Sequence, residues 1–342
     1  MNLWKAIARP PWRTVVAGIA LLVLVWLGYS LWTPGRDITD GRHDLGRNGI
    51  WLQHGWLADD EWFVHEKRTN QIARFRDPQQ IQKLAAQLRQ NHITDVFPHL
   101  CPATYDGHLP PENNIQTDQF LREFAGFRVM PWIGGVLNLH VRLKDSAWRS
   151  NFTGDIRKLL DEHPWLIGVH LNVEPLPSGD PDYLLLLKEI RKALPQGKIL
   201  SVAAYPPPTR WQPSADVHWD ENYFRQVAGL ADQMVVMMYD TSLRNQKLYQ
   251  FLMASWTREV ISWCDGKAVL LGLPAYNDSG VDYHDPGTEN LAAALPGIHA
   301  GLAGLSPIPQ SYQGIALYSE WEMKDADWRT IQTDFLRHST GR

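Results

Sequence analysis

Only two cysteines, Cys101 and Cys264, occur in 342 residues, too few for a disulfide framework or a cysteine metal site. Positive charge is not in excess either. The net charge is -4 and the pI near 6.3, which excludes a basic footprint for nucleic acid. No low-complexity tract is present, and no phosphate-loop or dinucleotide fingerprint marks a nucleotide-binding sheet. Between Arg13 and Arg36 charge is absent altogether. That last gap is long enough to cross a bilayer. Lys5, Arg9 and Arg13 precede it, and Trp12, Trp26, Tyr29 and Trp32 lie near its ends, as interfacial residues do. The stretch Trp-Leu-Gly-Tyr-Ser-Leu-Trp is a poor small-residue cleavage site, so an uncleaved anchor is expected rather than a signal peptide. The expected organisation is a cytoplasmic N-terminus (1–13), a transmembrane anchor (14–33), a linker (34–47) and one domain (48–342) on the outer or periplasmic side of the cytoplasmic membrane.

What the chain does have is alternation. Eight short apolar runs, Gly49–Trp56, Thr94–Cys101, Arg128–Gly135, Leu166–Glu174, Ile199–Tyr205, Gln233–Asp240, Val269–Tyr276 and Gly314–Trp321, read as strands. Helical patterns separate them, at Asp77–Asn91, Thr117–Ala125, Trp148–Glu162, Asp182–Leu194, Asp220–Leu230, Leu248–Cys264 and Thr288–Gly304, with Asp325–His338 last. In the first, Ile81, Leu84 and Leu88 recur at helical spacing. Eight βα units without hairpin signals predict parallel strands and an α/β fold of the (β/α)8, or TIM barrel, type after one transmembrane helix. Such barrels carry their chemistry at the C-terminal ends of the strands.

Reading those ends yields a neutral, aromatic pocket of the kind sugars prefer, in a chain with 16 tryptophans. The substrate-binding candidates are His54, Trp56, His99, Trp132, His170, Tyr205, Tyr276, Tyr318, Glu320 and Trp321, with Trp211 from a stiff loop after the fifth strand. His54, His99 and His170 end different strands without close His-x-His spacing, so neither a metal nor a cofactor is expected. The most informative run is Leu166-Ile-Gly-Val-His-Leu-Asn-Val-Glu-Pro175. Strand periodicity puts His170, Asn172 and Glu174 on one face. A carboxylate at the exit of a core strand suits a general acid for glycoside hydrolysis.

The second group needed for that reaction is less direct. Barrels with two glutamates typically take the acid directly after an Asn and the nucleophile from the seventh strand. Here Val173 intervenes and the seventh strand has no Glu. Asp240 and Glu320 remain as possible carboxylate partners. Alternatively, the substrate's own acetamido oxygen attacks, with Asn172 orienting its N–H and Tyr239 holding its carbonyl.

The motifs resemble those of chitinase-like glycoside hydrolases of family eighteen. Ile-Gly-Val-His-Leu-Asn-Val-Glu174 is similar to the fourth-strand pattern ending Asp-x-Asp-x-Glu, with His170 and Asn172 at the two Asp positions. Met237-Met238-Tyr239-Asp240 matches the sixth-strand Met-x-Tyr-Asp, and Trp132-Ile-Gly-Gly135 is similar to the third-strand Ser-x-Gly-Gly. Tyr318 or Trp321 takes the place of the last-strand Trp. The Asn-x-Glu pair resembles that of endo-β-N-acetylglucosaminidases of family eighty-five. The resemblance implies Glu174 as acid/base, Asn172 and Tyr239 as acetamide-positioning groups and Asp240 as their support. It also implies, as substrate, a polysaccharide or oligosaccharide containing N-acetylglucosamine, envelope polysaccharide or peptidoglycan among them. A silent glycan-binding barrel and a two-carboxylate enzyme on non-acetylated sugars are the alternatives.

Overall fold

A computed structural model describes residues 12–210, 214 and 216–337. The expectations for residues 1–11, for Trp211 and for the helix end at His338 lie outside these residues. The chain forms two units that part after Pro34. The first holds helix α1, Trp12–Leu31, whose 20 residues reach a mean hydropathy of 2.2 with nothing buried. At 1.5 Å per residue it spans about 30 Å, enough to cross a hydrocarbon layer.

Among its described residues the second unit contains nine parallel strand segments, β1 Asn48–Leu52, β2 Ile93–Pro98, β3 Arg128–Val129, β4 Trp132–Val136, β5 Gly168–Glu174, β6 Ile199–Ala204, β7 Gln233–Met237, β8 Ala268–Pro274 and β9 Tyr312–Tyr318. The third expected strand is present as two halves. Pro131 lacks an N–H and cannot continue a ladder, so β3 pairs with β2 while β4 pairs with β5. Backbone bonds from Leu100 to Trp132 and from Ile167 to Val129 link the halves to both neighbours. The protein is thus a (β/α)8 barrel, closed through a strand divided at a proline.

Among the described residues ten α-helices follow α1: α2 Glu61–His65, α3 Ile72–Arg76, α4 Pro78–Gln90, α5 Asn114–Glu123, α6 Ser146–Glu162, α7 Pro181–Ala193, α8 Glu221–Leu230, α9 Gln246–Trp263, α10 Leu291–Ala303 and α11 Asp325–Asp334. The sequence reading lacked α2 and α3, which are too short to show a period. The longer ones start where an Asp or Asn can cap them. Asp77, Asn113, Asp145, Asp180, Asp220, Asn245 and Asn290 each accept from a backbone N–H in the first turn of α4 through α10. Each such cap contributes about 1 kcal/mol.

Two apolar layers result. Helix stripes such as Ile81, Leu84 and Leu88 pack on the outward residues of the strands. A smaller cluster, including Trp51, Phe97, Met130, Val235 and Leu270, fills the barrel itself. At Gly134 (φ +123°) an added Cβ would lie 1.9 Å from the Asn172 carbonyl oxygen, so this glycine lets β4 approach β5 beside the candidate site.

Candidate active site

Strand β5 brings Asn172 and Glu174 to the C-terminal mouth of the barrel. The Asn172 side-chain amide N–H donates to the Glu174 carboxylate, while Asn172 Oδ1, buried, has no partner among the described residues. Burial raises the Glu174 pKa above its ordinary value, and the nearby charge of Asp240 raises it further against the lowering effect of the Asn172 bond. The glutamate is therefore biased toward its protonated form, as a general acid must be.

Glu174, Pro175, Tyr205, Tyr239 and Asp240 line a cavity of about 420 Å³ with Val136, Pro206, Val217, His218, Met237 and Tyr283. Tyr239 stacks on Tyr318 with ring centroids 5.4 Å apart, and Tyr276 meets both edge-on. The Tyr276 hydroxyl donates to the Asp240 carboxylate. Burial pushes the Tyr239 and Tyr276 phenols up, so both stay protonated and can donate. Trp132 packs on His99 (4.2 Å between centroids), and Trp321 meets the edge of Tyr318 at 5.6 Å. An aromatic wall beside an acid is the arrangement expected of a sugar site.

Several candidates do not reach this cavity. His170 is fully buried beneath the mouth, stacked on Phe97, with both ring nitrogens engaged by Trp51 and Ser201. Burial lowers its pKa to about 3, so the ring is neutral. It packs inside the barrel and does not line the cavity. Trp56 lies beyond the end of β1, where alternation no longer applies. Gly55 (φ +94°) turns the chain, and Trp56 packs under the helices against Phe75 and Phe120. Glu320 likewise follows the end of β9 and turns inward, 3.5 Å from Arg74. Its carboxylate is thus partnered by Arg74 and does not line the cavity with Glu174. Cys101 is a buried thiol whose pKa burial raises well above normal.

Sequence reasoning missed Val136, the last residue of β4, and Val217 and Tyr283, which sit on loops after β6 and β8 and carry no periodic signal. It also missed what stands behind Asp240. His284, fully buried, lies 3.3 Å from Asp240 and 3.8 Å from Glu289. Burial pushes Glu289 up to about 7, while bonds from the Thr241 N–H and hydroxyl hold it down. Asp240, His284 and Glu289 offer atoms within 4.8 Å of one another, as do His54, Asp59 and His99; either set has the donors of a metal site.

The model for glycosyl hydrolases family 18 matches residues 63–334. The chain belongs to this family. It is a family 18 glycosidase. No curated protein matches the sequence. Among solved structures, the spore cortex-lytic enzyme SleL of Bacillus cereus is 13% identical with a TM-score of 0.54, covering 86% of this chain and 76% of that one. A class V chitinase from Pseudomonas fluorescens Pf-5 is 15% identical with a TM-score of 0.53, covering 75% and 97%. A chitinase from Bacteroides thetaiotaomicron is 13% identical with a TM-score of 0.51, covering 86% and 98%. At these identities the family 18 chain shares a fold with them, and its substrate has to be argued from its own site.

Proposed function

We propose that this family 18 protein is a membrane-anchored glycosidase that cleaves N-acetylglucosamine-containing glycans by substrate-assisted retaining catalysis. The observation that carries the reading is the divided role of Asn172. One end of its amide is committed to Glu174, and the other, Oδ1, is a buried acceptor without a partner. A buried acceptor left unpaired costs about 1–3 kcal/mol. An acetamide N–H supplies the missing donor.

With that group bound, Glu174 gives its proton to the glycosidic oxygen as the bond to the anomeric carbon breaks. The acetamido carbonyl oxygen attacks that carbon from the other face, forming a cyclic oxazolinium ion. Asn172 Oδ1 accepts the N–H that becomes acidic in this ion, and the Tyr239 hydroxyl donates to the acetamido oxygen. Water then attacks the anomeric carbon, Glu174 takes its proton, and the product keeps the original configuration. Asp240, held by Tyr276, lies near the acid, and its charge raises the Glu174 pKa and so helps Glu174 retain its proton.

Helix α1 supports a tether that holds the domain outside the cytoplasmic membrane, where envelope polysaccharide, peptidoglycan included, is the substrate class at hand. The decisive assay is release of reducing ends from N-acetylglucosamine oligomers and wall glycan by the purified full-length chain. A wild-type rate no higher than that of Glu174→Gln overturns hydrolysis, and saturable sugar binding without turnover would replace it by a binding role. Full-length protein should resist alkaline extraction from membranes. Recovery as a soluble form cleaved after the apolar helix would replace the anchor by a signal peptide.

A further inference from the structure

We propose that His54, Asp59 and His99 form a binding site for a divalent transition-metal ion of the zinc class at the rim of the barrel. The three come from separate places, the turn after β1, the loop before α2 and the end of β2, and the fold gathers one ligand atom of each within 4.8 Å of the others. Two imidazoles and a carboxylate are donors that zinc takes with a fourth position left over.

The local contacts orient the donors and leave the metal-facing atoms unused. One Asp59 oxygen lies 2.6 Å from His54 Nδ1, and Trp62 stacks flat on the His54 ring at 4.5 Å and 7°. Among the described residues, His54 Nε2 and the second Asp59 oxygen take no hydrogen bond. A carboxylate on one imidazole nitrogen fixes the tautomer that ligates through the other. The His99 ring approaches His54 to 3.4 Å between centroids, tighter than ordinary ring stacking, with no hydrogen bond between them. Outside the cluster its ring meets the Cys101 sulfur, at 3.4 Å, and the Cys101 backbone. An ion shared by the two rings accounts for this convergence. His54 is 7% and Asp59 3% exposed, so water does not solvate them freely.

Among the described residues, one other histidine cluster is complete without an ion. His43 and His299 hydrogen-bond directly, Nδ1 to Nδ1, at 2.7 Å. The Asp240–His284–Glu289 set is partly committed: Glu289 already accepts from the Thr241 N–H and hydroxyl, while His284 lies near both carboxylates with neither ring nitrogen hydrogen-bonded among the described residues.

The test uses purified full-length protein in detergent, stripped with a chelator and titrated with Co²⁺, then Zn²⁺. One equivalent of Co²⁺ should bind with visible absorption that Zn²⁺ abolishes, and Zn²⁺ should raise the thermal midpoint. His54→Gln and His99→Gln should each weaken binding at least about a hundredfold, and Asp59→Asn, which preserves shape, about tenfold. Cys101→Ser and His284→Gln should bind as wild type does. Circular dichroism establishes that each variant is folded. Absence of Co²⁺ uptake, or uptake that persists in both folded histidine variants, overturns the site. Because binding is read by absorption and melting, the result is independent of whether the protein hydrolyses glycans.

Discussion

His170 and Glu174 stand on one face of β5, four residues apart, yet their surroundings belong to different kinds of chemistry. The lower group is closed. His170 accepts from the Trp51 indole N–H and bonds Ser201, which donates to Gln233, which donates to Asp95, which lies 3.6 Å from Arg128. In this relay from Trp51 to Arg128 each group has a protein partner, so nothing in it is left over for a ligand. The upper group is open by one bond, at Asn172 Oδ1. The comparison teaches that a polar row in a barrel strand is structural where its hydrogen bonds are complete and functional where one is missing.

The largest effect should come from the open end. Glu174→Gln should lower kcat about 10²- to 10⁴-fold, since it removes the acid while preserving shape. Its stability should respond to pH differently from wild type. Because the folded pKa of Glu174 is raised, the group stabilises the fold at pH below its ordinary value and this contribution fades as pH rises through the folded value. Glu174→Gln should lack that fading, as thermal melts across pH would show. Wild-type activity should fall on the alkaline side as Glu174 ionises.

Next, Asn172→Ala should cost about a hundredfold in kcat on acetamido substrates. Asn172→Asp should keep turnover and move the alkaline limb upward, because a neighbouring carboxylate disfavours ionisation of Glu174. A pH–rate profile in which Asn172→Ala matches wild type would erase the distinction between the two ends of the row.

At the closed end, His170→Leu should destabilise the fold by about 3 kcal/mol by orphaning the Trp51 and Ser201 groups, with kcat per folded molecule nearly unchanged. The sign of the pH effect is opposite to that of Glu174. A histidine lowered to about 3 stabilises the protein above its unfolded value of 6.5, and this is lost as pH falls between the two. His170→Leu should therefore show a shallower loss of stability on acidification. A large kcat loss in a folded His170→Leu protein would instead place this histidine in the reaction. The smallest effect is Tyr239→Phe, about tenfold in kcat with little change in melting, because one hydrogen bond to the acetamido oxygen is worth about 1–2 kcal/mol.

Much of the fold was legible because its signals are local. Strand runs and helix stripes depend on neighbours two to four residues away, and Asp77, Asp182 and Asp220 mark helix starts within a residue or two of those observed. The β3–β4 division was not read, although Pro131 was in view, because a proline costs a ladder bond only once its partner strands are known. Within the site, Glu174, Asn172, Tyr239 and Asp240 were legible as strand-end residues and family motifs, and the structure brings Glu174, Tyr239 and Asp240 to one cavity with Asn172 bonded to the acid. Trp56 was misplaced because period-two reasoning was extended past the last residue of β1 that pairs.

The sequence by itself determined the alternation of strands and helices, the apolar helix at the N-terminal end and the polar face of β5, since each follows from residues close along the chain. Only the tertiary structure decided which polar groups are spent and which are free. His170 is closed by Trp51 and Ser201, 119 and 31 residues away, and His54 meets His99 across two strands. Such pairings cross chain separations over which periodicity carries no information, and they exist only once the barrel has closed.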